Sequence, residues 1–266
     1  MASKEELAGI FQDTKNFYEN DEILKKNIQA SIANTKFYDA EDYPPLPEKI
    51  CDKTKITVNQ GKTFETALNL RGQNLKIAVH NFASATNPGG GVIWGSRAQE
   101  ESLCRCSTLY PVLDTKENWT RYYNFHRQRN DSIYTDACIY SPNIFICKSD
   151  IDLPQRLPQS DWFNVDVMTI AAPNLRKMNL SDAELLQIHQ NRLRHMFTVL
   201  AHHKVEIFIT GAFGCGAFRN NPYVVAQAYK NVLNDFDGHF KEIIFAVYCS
   251  PRELDNFIAF NKILKE

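Results

Sequence analysis

The chain has 266 residues, of which 44% are hydrophobic and 23% charged, and its formal net charge is −1 at pH 7. This balance predicts one large or two small globular α/β domains and excludes the strong overall basic field that attracts nucleic acid. Because of this charge we expect no sequence-specific nucleic-acid binding. No run reaches the roughly 18 apolar residues of a membrane span, so we also expect no membrane association.

The N-terminal part of the chain is predicted to be helical. Apolar residues recur at mixed helical spacing over 4–35, and the proline-rich stretch DAEDYPPLPEK ends this section. KITVNQ at 55–60 has the β-branched content of a strand, and TFETALNL after it favours a short helix. We expect a single domain over 1–266, in which a helical layer (1–50) joins an α/β core (51–266).

Strands and helices follow along the rest of the chain. Strands are predicted at 75–83, 138–147 (with a break at Pro142), 165–174, 205–214 and 241–249, and helices at 96–113, 181–203, 221–236 and 250–266. Several helix starts carry recognisable signals, namely the capping pairs Ser181/Glu184 and Ser250/Glu253 and the first-turn prolines Pro222 and Pro251. Regular alternation from 165 onward predicts an α/β sandwich with a largely parallel central sheet.

The stretch NPGGGVIWGSRAQEES (87–102) joins a predicted strand to a predicted helix. Ligands of open α/β sheets bind beyond the carboxyl ends of strands, where glycines let backbone N–H groups approach a phosphate. The spacing matches neither a Walker A loop nor G-x-G-x-x-G, and no lysine follows, so phosphoryl transfer is disfavoured. The glycines alone are equally consistent with a flexible loop.

Two adjacent acids follow these glycines. Ser96 is predicted to cap the helix with Gln99 as its reciprocal partner, which places Glu100 and Glu101 in the second turn. The helix dipole alone would also explain acids at this position. However, Glu100 extends an apolar stripe that consists of Leu103, Cys106, Tyr110 and Leu113. At least one carboxyl group should therefore be partly buried, and burial beside a diphosphate would raise its pKa towards that of a general acid.

A second glycine-containing loop, TGAFGCGAFRNNP (210–222), also leaves a strand and enters a helix. Gly214, Cys215 and Gly216 are expected to expose backbone amides. Phe218 either stacks on a sugar or base or packs under the loop. Cys215 as a nucleophile is disfavoured because no histidine lies near it in the sequence. Two such loops favour a dinucleotide-like ligand whose diphosphate is held by main-chain amides.

Other residue patterns give weaker signals. The seven cysteines contain no C-x-x-C pair, so zinc and disulfides are disfavoured and we expect free thiols in the cytoplasm. The charged N-terminus lacks the apolar core of a signal peptide. We expect no metal and no cofactor. The basic, aromatic segment WTRYYNFHRQR (119–129) fits a solvated surface better than contact with a polymeric anion.

The stretch NFASATNPGGGVIWGSRAQEESLCRCSTLYPVL resembles the signature of microbial-type poly(ADP-ribose) glycohydrolases (PARGs), a branch of the macrodomain fold. That signature is three glycines, a spacer (here the seven residues Val92–Ala98) and Gln-Glu-Glu. GAFGCGAFRNNP resembles the diphosphate loop of the family, and IYSPNIFICKSD and VDVMTIAAPN resemble core segments. The resemblance covers about 60–266. It implies a three-layer α/β/α sandwich around a mixed, largely parallel sheet with an N-terminal helical extension.

The resemblance also implies roles for individual residues. Glu101 matches the catalytic acid, and Glu100 matches the neighbour that holds the ribose hydroxyls at the scissile bond. Phe218 matches the aromatic on the distal ribose. The remaining substrate-binding positions are Gly89, Gly90, Gly91, Val92, Gln99, Gly214, Cys215, Gly216 and Ala217. Trp94 is bulkier than the family pattern suggests and leaves the preferred polymer length open.

The implied function is hydrolysis of the ribose–ribose bond of poly(ADP-ribose). Poly(ADP-ribose) or ADP-ribosylated proteins would be the substrate, ADP-ribose the product, and the enzyme a monomer. Two alternatives stay open. The first is hydrolysis of another ADP-ribosyl linkage, such as that of mono-ADP-ribosylated protein or nucleic acid, and the second is a non-catalytic module that reads ADP-ribose. Two adjacent acids argue against the reader, because binding alone does not need them.

Overall fold

The computed structural model describes residues 2–249 and 254–265. The strands are β1 (Lys36–Tyr38), β2 (Lys55–Gln60), β3 (Ile77–Phe82), β4 (Cys138–Ile146), β5 (Phe163–Ile170), β6 (Ile207–Thr210) and β7 (Glu242–Val247). The α-helices are α1 (Lys4–Asn20), α2 (Glu22–Asn34), α3 (Thr63–Leu68), α4 (Gln99–Cys106), α5 (Leu109–Leu113), α6 (Lys116–Asn118), α7 (Asn124–Arg129), α8 (Asp182–His202), α9 (Pro222–Leu233) and α10 (Asp255–Lys265). Within these described ranges, no helix combines the length and apolarity needed to cross a membrane.

The strands form a single seven-stranded sheet in the order β1-β4-β5-β3-β6-β7-β2. The five strands from β5 to β2 run parallel, whereas β4 is antiparallel to both β5 and β1. Pro142 lies at a register shift between Ser141 and Ile144, so the predicted break is a local irregularity in one continuous strand. The predicted mixed, largely parallel α/β sheet is confirmed.

Helices cover both faces of the sheet and make three layers. One core contains Phe11 and Tyr18 of α1 and Leu103 of α4, packed against sheet residues such as Val79. The opposite core contains residues of α8, α9 and α10, packed against residues such as Phe208. Every residue of β6 is buried, as expected for a parallel strand covered on both sides. The N-terminal helices therefore belong to the same layer as α4.

Local signals predicted several helix starts. The 4–35 region forms two helices, and Ser181 caps α8 in a capping box with Glu184. Pro222 occupies the first turn of α9, with Asn221 as its N-cap. The predicted capping pair Ser250/Glu253 and Pro251 lie outside the described residues.

The helix predicted at 96–113 is two helices. Helix α4 begins at Gln99, with Ala98 as the N-cap and no side-chain cap, so Ser96 does not cap it. Glu100 and Glu101 therefore lie in its first turn, not its second. The helix ends because Ser107 forms a bridge with Ile146, after which the Thr108 N–H donates to the Phe145 carbonyl at 3.0 Å.

The prediction of a solvated surface for 119–129 is wrong for part of that segment. A π-helical turn over Trp119–Tyr123 places Tyr122 and Tyr123 in the core, and His126 of α7 is also buried. Arginines of the segment stay at the surface, where Arg121 lies over the ring of Phe37. The aromatic residues are thus structural, because they fill the core beside α4 and α5.

Candidate functional site

Strand order brings the two glycine-containing loops together. Strands β3 and β6 are parallel neighbours, so their carboxyl ends meet at the same edge of the sheet. The loop after β3 (83–98) leads into α4, and the loop after β6 (211–221) leads into α9. This edge is where open α/β sheets bind ligands.

Both adjacent acids are buried at this edge, with Glu100 2% and Glu101 7% exposed. Glu100 Oε2 accepts the backbone N–H of Ser84 at 2.7 Å, and its Oε1 accepts Asn81 Nδ2 at 3.3 Å. Burial raises the pKa of Glu100 to about 8, with the Glu101 carboxylate adding to the rise and the Ser84 and Asn81 donors opposing it. Glu100 is therefore mostly neutral at pH 7.

The second acid has one oxygen bound and one free. Glu101 Oε1 accepts the N–H of Gly91 at 2.9 Å. Its Oε2 is buried and has no hydrogen-bond partner among the described residues. A buried carboxyl oxygen without a partner costs free energy, so its presence marks an atom that a proton or a ligand completes. The sequence predicted that at least one of the two acids would be partly buried, and in the structure both are buried.

The glycines of the first loop make room for these acids. Gly90 has φ +59°, and a Cβ atom there would lie 2.5 Å from Glu101 Oε1. The N–H groups of Gly90, Gly91 and Val92 donate to Asn87 O (3.1 Å), Glu101 Oε1 (2.9 Å) and Gly89 O (3.1 Å). These three amides are therefore already bonded within the protein. That the Gly89–Gly91 loop surrounds a ribose and a diphosphate stays a prediction.

A Gly90→Ala substitution should therefore damage the site. The added methyl group meets a carboxyl oxygen, and the positive φ adds strain, so we expect a stability loss of about 1–3 kcal/mol and a large loss of activity. Gly9→Ala is the matched control, because Gly9 lies in α1 outside the proposed site and a Cβ there meets no atom within 4 Å. Thermal unfolding and turnover of both variants check this, and equal behaviour would contradict it.

Gln99 fastens the start of α4 to the sheet. Its side-chain amide donates to the His80 carbonyl at 2.6 Å and to Thr63 Oγ1 at 3.1 Å. Its carbonyl oxygen accepts the N–H of Phe82 at 2.9 Å. Since these bonds use its carbonyl and both N–H groups, Gln99 positions Glu100 and is not left to bind a ligand. Its predicted pairing with Ser96 does not form.

The second loop does expose amides. The N–H groups of Gly216, Ala217 and Phe218 have no acceptor within the described part of the chain, whereas that of Cys215 donates to Ala212 O at 3.1 Å. Successive free amides form a concave site for an anion. Burial raises the pKa of the Cys215 thiol, so it stays protonated at neutral pH and is a poor nucleophile.

Sequence reasoning missed the residue that shapes this loop. Asn220 is buried, and its Nδ2 lies within hydrogen-bonding distance of the carbonyls of Pro173 (2.8 Å), Gly214 (3.1 Å) and Phe218 (3.2 Å). Its Oδ1 lies 2.7 Å from Nε2 of His189 in α8. The asparagine thereby ties the loop to the segment after β5 and to α8.

Residues at the rim complete the site. The half-buried Phe218 ring faces the Arg176 guanidinium at 5.8 Å, and its carbonyl accepts the N–H of Leu175 at 3.0 Å. Trp94 is 74% exposed in a 3-10 turn directly after the glycines. Arg127, which the sequence did not single out, fixes the first loop from α7 by donating to the Thr86 carbonyl at 2.8 Å.

The described residues contain no group of three or more His, Cys, Asp or Glu side chains that could hold a metal ion. The seven cysteines are all free thiols. The site itself combines two buried carboxyl groups with a loop of unpaired amides.

Comparison with known proteins gives consistent matches. The family model of the microbial-type PARG catalytic domain matches residues 8–149. Poly(ADP-ribose) glycohydrolase from Thermomonospora curvata is 27% identical with a TM-score of 0.87, over 97% of this chain and 98% of its own. That from Deinococcus radiodurans, in complex with ADP-ribose, is 33% identical with a TM-score of 0.80, over 90% of this chain and 97% of its own. None of the curated proteins matches the sequence.

Proposed function

The chain belongs to the family of microbial-type poly(ADP-ribose) glycohydrolases, and we propose that it releases ADP-ribose from poly(ADP-ribose) with Glu101 as the general acid. It is a glycoside hydrolase that acts on the ribose–ribose bond of the polymer. Solved T. curvata PARG bound to the inhibitor ADP-HPD (27% identical, TM-score 0.86) supports the same substrate class.

The buried Glu101 Oε2 is the observation that carries this assignment. Burial raises the pKa of Glu100 to about 8, so this carboxyl group is mostly neutral at pH 7. Donors occupy both oxygens of Glu100, whereas Glu101 Oε2 has none among the described residues. Glu101 Oε2 is therefore the carboxyl oxygen of the pair that stays available to a substrate oxygen.

The reaction needs one proton transfer in each direction. Glu101 protonates the leaving 2′-oxygen as the bond from that oxygen to the anomeric carbon breaks. The substrate's own diphosphate stabilises the oxocarbenium-like centre. Water then attacks the anomeric carbon and returns its proton to Glu101, which regenerates the acid. One carboxyl group serves both steps, unlike the usual glycosidase pair.

The other residues bind the terminal ADP-ribosyl unit. Glu100 holds the ribose hydroxyls, and the Gly89–Val92 segment encloses that ribose. The Gly214–Ala217 segment holds the diphosphate, with the unpaired amides of Gly216 and Ala217 as support. Phe218 packs on the distal ribose. No protein cofactor takes part.

The chain acts, in our proposal, as one domain and as a monomer in the cytoplasm. Contacts between the N-terminal helices and the core support the single domain. Thr14 Oγ1 of α1 donates to the carbonyl of Arg105 in α4 at 2.7 Å, and Phe11 packs edge-on against Tyr110 at 4.9 Å. The free cysteines are consistent with a reducing compartment.

We expect the release of ADP-ribose from polymer to fall as pH rises above about 8. The pKa of Glu100, raised by burial to about 8, keeps this carboxyl neutral below that pH and adds a negative charge to the site above it, which disfavours the anionic polymer. Measuring kcat/KM from pH 5 to 10 on polymer and on mono-ADP-ribosylated protein checks this. If no ADP-ribose is released from either substrate at any pH, the protein is a non-catalytic reader. If ADP-ribose is released only from the mono-modified protein, the enzyme hydrolyses another ADP-ribosyl linkage.

A further inference from the structure

A cavity of about 450 Å³ lies beside the proposed site and has no part in the mechanism above. The segment between β5 and α8, from Leu175 to Asp182, forms most of its wall, and Arg219 and Asn221 close the other side. The cavity adjoins the ring of Phe218, because Leu175 bonds to the Phe218 carbonyl and Arg176 lies over its ring. A ligand in the site and a ligand in the cavity would therefore be neighbours.

The cavity is basic, and its charges are not neutralised by the protein. Arg176, Lys177 and Arg219 line it, and all are exposed. None of these side chains forms an ion pair with a carboxylate in the described part of the chain. The acid in the wall, Asp182, accepts the side-chain amide of Asn221 at 3.3 Å. Unpaired cations around a cavity attract an anion.

The backbone of one of these cations, Arg219, has a strained conformation. Arg219 has φ +62°, which is unfavourable for a residue with a side chain. Its N–H donates to the carbonyl of Gly216 at 3.0 Å, within the loop of unpaired amides. The same turn thus presents amides to the site and a guanidinium to the cavity.

Strand order gives the direction in which the polymer runs. The relevant neighbours in the sheet are β5, β3, β6 and β7, in that order. Glu101 follows β3 and the diphosphate loop follows β6, so the terminal unit extends from the scissile bond towards β7. The leaving part of the chain then lies on the opposite side, towards β5. The segment after β5 forms most of the wall of the cavity, and Arg219 and Asn221 after β6 close it.

We propose that the cavity binds the diphosphate of the neighbouring ADP-ribosyl unit, the one that leaves when the bond is cut. This inference rests on the proposed function. The leaving 2′-oxygen belongs to the adenosine ribose of that unit, whose diphosphate is one ribose away from the cut. A cavity of about 450 Å³ is in the range of small-ligand sites. The cavity makes the enzyme selective for polymer over a single ADP-ribosyl group.

The test removes two cations that line the cavity and to which we assign no part in binding the terminal unit. In a Lys177→Gln/Arg219→Gln variant, kcat/KM for polymer should fall by roughly 10-fold to 100-fold. The slope of log(kcat/KM) against log salt should become shallower by about 0.7 for each phosphate that no longer has a cationic partner. The second substrate is ADP-ribose with a nitrophenyl group on the anomeric oxygen of its terminal ribose. It lacks the neighbouring diphosphate, so its turnover should stay unchanged.

Matched variants keep the outcome decisive. Lys26→Gln/Lys265→Gln removes two exposed charges from α2 and α10 and should behave as wild type on both substrates. Asn179→Lys adds a cation to the cavity and should increase polymer turnover and its salt dependence. Equal losses on both substrates, or unchanged polymer turnover in the Lys177/Arg219 variant and in Asn179→Lys, would overturn the inference. A wild-type protein that cleaves neither substrate would instead refute the proposed function.

Discussion

Replacing Glu101 with glutamine should reduce the release of ADP-ribose from polymer by roughly 10²–10⁴-fold while ADP-ribose still binds. Glutamine has nearly the shape of glutamic acid, so its side-chain oxygen can still accept the Gly91 N–H that Glu101 Oε1 accepts at 2.9 Å. The atom at the Oε2 position becomes an NH₂ group, which cannot pass a proton to the leaving 2′-oxygen. The variant therefore loses the proton transfer but keeps the shape of the binding site.

Product binding and turnover measure the two effects separately. Calorimetry with ADP-ribose should give a Kd within a few-fold of wild type, and the rate of ADP-ribose release from polymer gives kcat and KM. A Glu101→Gln enzyme that retained a tenth or more of wild-type kcat would show that another group supplies the proton.

Glu100→Gln is the matched comparison, because it makes the same side-chain change in the adjacent residue, which is also buried. Its carboxyl group accepts from Ser84 and Asn81 and holds the ribose in our proposal. Substitution leaves one acceptor in place of two, so KM should rise more than in Glu101→Gln and kcat should fall less. The reverse pattern would exchange the roles of the two acids.

The sequence predicted the fold well because its signals are local. Alternating strand and helix patterns after residue 165 indicated the parallel sheet, and Ser181 with Glu184 marked the start of α8. The position of Glu100 on an apolar stripe indicated a buried acid. These patterns depend on residues only a few positions apart, so one sequence is enough to read them.

Other features depend on contacts between residues that are distant in the sequence. The break in the helix at Ser107 requires the end of β4, and nothing near Ser107 signals it. The tyrosines of 119–129 looked like surface residues because arginines surround them, yet the π-helical turn buries them. The sequence likewise does not reveal that Glu101 occupies the space beside Gly90 and accepts the N–H of Gly91.

Asn220 is the strongest example of such a distant contact, and its replacement by alanine should weaken ADP-ribose binding by about 100-fold or more. The side chain connects Pro173, Gly214 and Phe218, and on the other side His189. Alanine leaves these buried groups without a partner, which should cost about 3 kcal/mol of stability. The loop then no longer orients its free amides toward the diphosphate. Each hydrogen bond from an amide to the diphosphate that is lost should weaken binding by about 1.5–3 kcal/mol.

Asn221→Ala separates this effect from general destabilisation. Asn221 caps α9 through the Tyr223 N–H at 3.1 Å, so its loss should cost about 1 kcal/mol of stability. It does not touch the amides of 216–218, so ADP-ribose affinity should stay near that of wild type. Urea unfolding and calorimetric titration of both variants check these expectations. If Asn220→Ala lost stability but kept its affinity, the diphosphate would be held elsewhere, because the loop geometry depends on this one side chain.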